Sequence, residues 1–553
     1  MNRRMPNGMY GGVRGERKSP LLDGNYFNTL KRNALKQISK GREREMGIKI
    51  VLLIVFFAVM VGVGIYSRRH AASVDGFVLG GRSAGPWLTA FAYGTSYFSA
   101  VVFVGYAGQF GWKYGIASTW IGIGNAVIGS LLAWVVLGRR TKVMTQHLGS
   151  RTMPDFFGER YDSKALKVMA SVIVFVFLIP YTASVYNGLS RLFEMAFSIP
   201  YTWCVIAMAL FTAVYVILGG YMATAINDFI QGIIMLAGIV VVIAAVLNGQ
   251  GGFINAVSEM AQIPSDVAVT AGQPGAFTSF FGPDPVNLLG VVILTSLGTW
   301  GLPQMIGKFY AIKDEKSINT GTVISTVFAI VVSGGCYFLG GFARLFDSPA
   351  IYDDTTGAVV YDSIIPYMLS ALPDILIGIV VVLVLSASMS TLSSLVLTSS
   401  STLTLDLLKD NVIKKMSEKK QIVTMQLLIV FFIVVSVVIA LNPPTFIAQL
   451  MGISWGALAG AFLAPFLYGL YWKGVTRAGV WSGFIAGIGI TVSNMFIGYI
   501  ASPINAGAAA MIAGLIVVPA VSLFTPKLKR EKVDEIFTCY DEKVTITKKR
   551  SLQ

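Results

Sequence analysis

A chain of 553 residues with 54% hydrophobic and only 13% charged side chains is too apolar for an ordinary soluble protein, in which about a quarter of residues are charged. Mean hydropathy is +0.68, and apolar stretches of roughly 20 residues, enough to cross ~30 Å of hydrocarbon as helix, recur throughout. The net charge of +15 does not point to nucleic acid as a partner, because the Lys and Arg residues lie between the apolar stretches, where they mark one membrane face and its anionic lipid.

Residues 1–45 carry eleven Lys/Arg against four acids and contain no apolar run, so they read as a disordered basic extension with Met46 as the biological start. The first span is expected over Gly47 to Tyr66, with a basic loop reaching residue 85. Five spans follow within 86–247: Pro86 to Trp112, Ala117 to Gly138, Val168 to Glu194, Tyr201 to Gly219 and Ala225 to Leu247. Gly122, Gly124 and Gly129 are similar in spacing to a dinucleotide loop, but inside an apolar helix they serve close packing instead. An outer loop, 248–285, separates this group from a second group of five within 286–472. Its spans are Val286 to Phe309, Thr322 to Phe342, Asp374 to Thr404, Ile422 to Leu441 and Thr445 to Trp472. Two more, Val480 to Ile500 and Ile504 to Phe524, occupy 473–525 and lead to a tail over 526–553.

The expected class is therefore an all-α membrane protein of thirteen transmembrane helices. Basic residues concentrate in the loops after odd-numbered spans and in the tail, whereas the stretches Asn248 to Pro285 and Asp347 to Pro373 contain none. Positive charge stays inside, which puts the C-terminus in the cytoplasm. An odd number of spans per group makes the two groups inverted in the membrane, a five-plus-five core.

The first span of each group is interrupted. One reads Ala92-Tyr93-Gly94-Thr95-Ser96-Tyr97-Phe98-Ser99-Ala100, the other Ser296-Leu297-Gly298-Thr299-Trp300-Gly301-Leu302-Pro303-Gln304. Gly weakens a helix, and Pro removes a backbone donor. Broken helices at matching places in inverted halves point to a carrier site at the midplane. A hydroxyl run, Ser386-Ala387-Ser388-Met389-Ser390-Thr391-Leu392-Ser393-Ser394, lies in the ninth span and can offer neutral oxygens to a hard monovalent cation. Three cysteines (Cys204, Cys336, Cys539) and two histidines (His70, His147) leave no metal-ligand spacing and no Cys–His nucleophile, so neither an enzyme nor a resident cofactor is expected. Scattered hydroxyls, without rings of charge, also argue against a channel.

At these segments the chain resembles the sodium–solute symporter family. The resemblance rests on Asp75-Gly76-Phe77-Val78-Leu79-Gly80-Gly81-Arg82-Ser83, read as a loop, on Thr152-Met153-Pro154-Asp155-Phe156-Phe157, and on Ile226-Asn227-Asp228-Phe229-Ile230-Gln231. Met389-Ser390-Thr391-Leu392-Ser393, and Gly469-Leu470-Tyr471-Trp472-Lys473 with Arg477 and Gly479, complete it. It implies a sodium site formed by the carbonyls of Thr95, Phe98 and Ala387 and the hydroxyls of Ser390 and Thr391. Asp228 then lies on the cation path, unless Asn227 and Asp228 merely cap a helix start. Solute is expected beside the breaks, against Tyr97, Ser99, Thr299, Trp300 and Gln304. Tyr97 replaces an Asp of the family's proline carriers and matches its pantothenate carriers, while Val101 and Val102 fit a sugar carrier poorly. The implied partners are sodium as coupling ion, the bilayer and a small carboxylate such as pantothenate, with an amino acid such as proline as the alternative.

Overall fold

The computed structural model describes Gly47, residues 49–413 and residues 416–540, leaving aside the side chains of Asp410 and Asn411. The basic extension expected over residues 1–45, Met46 and residues 541–553 fall outside the described residues. The chain divides into Met1–Val51 and Leu52–Gln553, and the second unit holds the helical core. No strand forms among the described residues.

Helix α1 (Lys49–Ala72) and the short α2 (Val74–Leu79) precede α3 (Pro86–Tyr97) and the long helical run α4 (Val101–His147). Then come α5 (Met153–Tyr161), α6 (Lys164–Phe197), α7 (Tyr201–Gly249) and α8 (Phe253–Gln262). The second half holds α9 (Pro285–Leu297), α10 (Pro303–Ala311), α11 (Glu315–Gly340), α12 (Tyr361–Ser370), α13 (Asp374–Lys409), α14 (Glu418–Leu441) and α15 (Ile447–Tyr471). Beyond it lie α16 (Arg477–Ile497), α17 (Pro503–Phe524) and α18 (Arg530–Phe537).

Eleven helical stretches among the described residues are long and apolar enough to cross a membrane, against thirteen expected spans. The difference lies at two glycines. Gly115 (φ 60°) turns α4, and Gly220 (φ 54°) turns α7, where loops were expected to end the helices. A Cβ at Gly115 would stand 2.2 Å from the Phe277 carbonyl oxygen, and one at Gly220 2.9 Å from that of Phe77. Only glycine meets both the backbone angle and the space.

Both interrupted spans are broken as expected. After α3, Phe98 is extended (φ −102°, ψ 119°) before the chain resumes a wide π turn at Val101. After α9, a single 3₁₀ turn at Gly298–Trp300 and an extended Leu302 (φ −87°, ψ 120°) precede Pro303 at the start of α10. Gly301 lets the broken strand of chain press against α15, since a Cβ there would meet the Ala459 Cα at 2.7 Å. These two breaks begin the halves of a five-plus-five inverted-repeat core.

Burial sorts the helices by neighbour. The best apolar window of α15 is 89% buried, whereas those of α1 and α14 are only 22% and 28% buried. Helices apolar on every side but open outward face lipid, not water. The glycines of α4 act as packing surfaces. A Cβ at Gly122 would meet the Gly334 Cα at 2.6 Å, and one at Gly124 the Val292 side chain at 2.6 Å.

The segment Asp75–Leu79, expected as a loop, is instead helical within α2. Ser73 caps it by accepting from the Gly76 N–H, and Gly80, Gly81 and Arg82 then run through positive φ. Thr152 caps α5 in the same way, accepting from the Asp155 N–H at 3.1 Å. A polar network joins the basic face here. Lys167 pairs with Asp155 (2.8 Å) and Asp406 (3.5 Å), and the Thr152 hydroxyl donates to Asp406. The tail, expected as a plain extension, carries α18, fastened to the same face by Lys473 to Asp534 (2.7 Å) and by Tyr540 stacked on Arg140.

Candidate functional site

The break after α3 faces the middle of α13, and hydroxyls meet across the gap. Ser390 Oγ donates to Thr95 Oγ1 at 2.7 Å, and Thr95 Oγ1 itself donates to the Phe91 carbonyl at 2.8 Å. Thr391 Oγ1 lies 3.3 Å from the Thr95 carbonyl, 3.4 Å from that of Ser96 and 3.1 Å from that of Ala387. Four of the five expected sodium residues are thus brought together: Thr95, Ala387, Ser390 and Thr391, all buried. Phe98, the fifth, is the extended residue of the break, where the helical bonding pattern ends. The donor set is neutral oxygen throughout, which suits a weakly charged hard cation. Ser99 is also at the break, its carbonyl accepting from Val102 and Phe103 and its Oγ from the Val101 N–H.

Asp228 does not cap a helix start. It lies inside α7, past the Gly220 turn and wholly buried, with Lys308 Nζ of α10 3.6 Å from its Oδ2. Neither carboxylate oxygen has a hydrogen-bond donor. Lys308 Nζ also donates to Ser394 Oγ (3.0 Å), which is 2.8 Å from Ser96 Oγ. A polar line therefore runs from α3 through Ser394 to Lys308 and Asp228, towards a cleft on the basic face lined by Thr152, Tyr221, Thr224 and Ser401. Sequence reasoning missed Lys308, although an ionisable side chain within an apolar span is itself a signal.

The expected solute residues divide. Tyr97 donates to the Thr295 carbonyl (2.5 Å), Thr299 lies within hydrogen-bonding distance of the Gly129 and Ser296 carbonyls, and Trp300 Nε1 donates to the Ile128 carbonyl (2.9 Å). These three are satisfied by backbone between α4 and α9. Gln304 belongs elsewhere: it is buried, both amide atoms lack a partner, and it lines the cleft at the basic face with Lys308.

Unpaired polar atoms gather on the other side of the Tyr97 ring. Tyr97 stacks on Trp455 of α15 at 5.7 Å between ring centroids, and Tyr181 of α6 meets the same indole edge-on at 5.9 Å. The Tyr181 hydroxyl stands beside Ser99 and the Trp455 Nε1 without completing a hydrogen bond to either. Tyr106 and Tyr337 are electrostatic neighbours of Tyr97 and Tyr181, and their hydroxyls are buried and unpartnered. Three phenols and an indole N–H in the neighbourhood of Tyr97 thus complete no hydrogen bond among the described residues. Buried polar groups are normally bonded, so a group of orphans marks a place for a ligand.

A model of the sodium:solute symporter family matches residues 77–487. Sodium/proline symporters of Staphylococcus aureus strains JH9 and NCTC 8325 / PS 47 are each 32% identical to the chain over 453 residues, covering 79% of it and 84% of their own length. Among solved structures, a substrate-bound, outward-open sodium-coupled sialic acid symporter superposes with a TM-score of 0.69 at 15% identity, covering 87% of this chain and 99% of that one. The last likeness is one of fold.

Proposed function

The chain belongs to the sodium:solute symporter family, whose members couple a small solute to sodium across the membrane, and from that premise we propose that its solute is a small zwitterionic amino acid of the proline class. One observation carries the reading. The buried donors of Tyr106, Tyr181, Tyr337 and Trp455, near Tyr97 and the break, complete no hydrogen bond among the described residues, and none of these side chains is ionised at neutral pH. A solute with net charge would leave that charge buried and unpaired, which is costly. A zwitterion brings its own counter-charge: its carboxylate can accept from phenol and indole donors, and its ammonium can sit over aromatic faces. Pantothenate carries a carboxylate and no ammonium. The expectation drawn from Tyr97 gives way to the alternative, in keeping with relatives named sodium/proline symporters.

In this reading Thr95, Phe98, Ala387, Ser390 and Thr391 hold sodium, and the Ser390–Thr95 hydroxyl bond opens to admit it. The ion ties α3 to α13 and so shapes the adjoining chamber, where Tyr97 and Ser99 flank the solute. Thr299 and Trp300 brace the chamber wall, and Asp228 with Gln304 line the cation's way towards the basic face, taken as cytoplasmic. Coupling is reciprocal: sodium tightens solute binding by the factor by which solute tightens sodium binding.

The test is uptake of radiolabelled L-proline into proteoliposomes under an inward sodium gradient, with potassium substituted as control. Saturable uptake that depends on sodium and resists excess pantothenate is expected. Equal uptake in potassium, or uptake of labelled pantothenate in place of proline, would refute the reading.

A further inference from the structure

Arg160, the penultimate residue of α5, is buried to 1% exposure yet pairs with no carboxylate among the described residues. Its Nε donates to the Gly469 carbonyl (2.9 Å) and its Nη2 to that of Trp472 (3.2 Å), while Nη1 is buried without an acceptor. The rings of Tyr161 and Phe537 flank the guanidinium at 5.1 and 5.0 Å. A buried cation held only by neutral dipoles lacks its anion.

Arg160 lines a cavity of about 380 Å³ on the basic face, together with Arg477, Lys527, Lys529, Lys532 and a single acid, Asp162. That acid is already spoken for: Asp162 accepts from Lys532 (2.7 Å) and Arg477 (2.9 Å). The Lys532 hydrogen bond, with Arg477 and Lys529 nearby, holds its carboxyl below the usual range, so it stays ionised. Five cations therefore surround one fully used carboxylate. The first turn of α18 opens on the same cavity with no side chain capping it, adding free backbone N–H groups.

We propose that this cavity, closed over by α18, binds a phosphate-bearing anion, and that the anion is the headgroup of an acidic phospholipid. The choice of source rests on where the cavity opens. Its lining takes in the start of α16 at Arg477 and Pro526, two residues past the end of α17, where Leu523 and Phe524 are 62% and 89% exposed, so acyl chains can run along apolar helix while the phosphate meets the cations. Lys527 and Lys529 are exposed at this cavity and make no ion pair among the described residues, so both can close on the ligand. Bound there, the headgroup would stitch the end of α5, the start of α16 and the tail into one unit.

The experiment uses the full-length protein in nanodiscs of phosphatidylcholine with or without phosphatidylglycerol, read by melting temperature and by native mass spectrometry of retained lipid. Phosphatidylglycerol is expected to raise the wild-type melting temperature by several degrees and to stay bound after release into detergent. Lys527→Gln with Lys529→Gln should lose at least half of both effects while melting like wild type in pure phosphatidylcholine. Lys419→Gln with Lys420→Gln, an exposed basic pair elsewhere on the same face, should lose neither. The proposal falls if wild type shows no shift, if the control pair loses as much as the rim pair, or if inorganic phosphate stabilises in pure phosphatidylcholine while phosphatidylglycerol does not.

Discussion

Lys308 and Asp228 set a problem that only their pairing resolves. Each is almost wholly buried, at 3% and 0% exposure, in helices surrounded by apolar side chains. At 3.6 Å the ammonium faces a carboxylate that completes no hydrogen bond among the described residues, although the Ser390 hydroxyl stands near it. Removing one partner of such a pair leaves an uncompensated charge, a loss of about 3–5 kcal/mol in typical interiors. Lys308→Gln is therefore expected to lower the melting temperature of the purified protein by many degrees, and the double change with Asp228→Asn to recover most of it. If Lys308→Gln melts like wild type, the two are not held as ions. The pairing also bears on the proposed cation path: if sodium is to reach Asp228, Lys308 has to leave the carboxylate first.

At the scale of helices, what was legible in the sequence depended on whether the signal was local. Apolar runs disclose where chain crosses lipid, and Gly and Pro clusters disclosed both breaks, because loss of helix is caused by residues at the spot itself. The hydroxyls of Ser390 and Thr391 are matched to Thr95 through the family resemblance, which is itself legible because each half of the site is written in one short segment. The aromatic cluster on Trp455 could not be read so, since Tyr97, Tyr181, Tyr337 and Trp455 come from four different helices, and nothing in their local sequence says that α15 meets the break. The same limit explains the helix boundaries that failed at Gly115 and Gly220, where a positive-φ turn keeps the chain helical on both sides.

One contact between elements is pH-sensitive. On the face opposite the basic one, Asp362 of α12 accepts from the Ile447 N–H at 3.2 Å, satisfying the first turn of α15. Burial pushes this carboxyl up to about 6 from its ordinary 3.8, against the opposing pull of the Ile447 N–H and Arg191. A carboxyl raised in the folded state binds its proton more tightly there than in the unfolded chain, so it favours the fold when protonated. That contribution is lost as pH rises from about 4 through about 6, to the extent of ~3 kcal/mol for a two-unit shift. The melting temperature of the wild type is expected to fall over this interval relative to Asp362→Asn, whose curve lacks the step. Parallel curves for the two proteins would remove Asp362 as the cause.

For the whole molecule the open question is which way the basic face points, and its charge gives the answer a physical form. The stretch Arg139 to Lys167, the start of α14 and the residues after Phe524 crowd cations onto one side, while Asn248 to Pro285 and Asp347 to Pro373 have none. Lys and Arg near span ends resist transfer across the bilayer and are drawn to the acidic inner leaflet. The cavity under α18 and the cleft by Lys308 both lie on that side, so in the proposed reading the cleft would face the cytoplasm. A C-terminal fluorescent protein, which matures only in the cytoplasm, should therefore light up, whereas a C-terminal alkaline phosphatase, active only outside, should stay dark. Replacing Asp354, in the outer loop that lacks Lys and Arg, by cysteine should allow labelling by an impermeant maleimide added to intact cells, because that residue is exposed. The reverse pattern in both assays would turn the molecule over, and with it the direction of the proposed cation path.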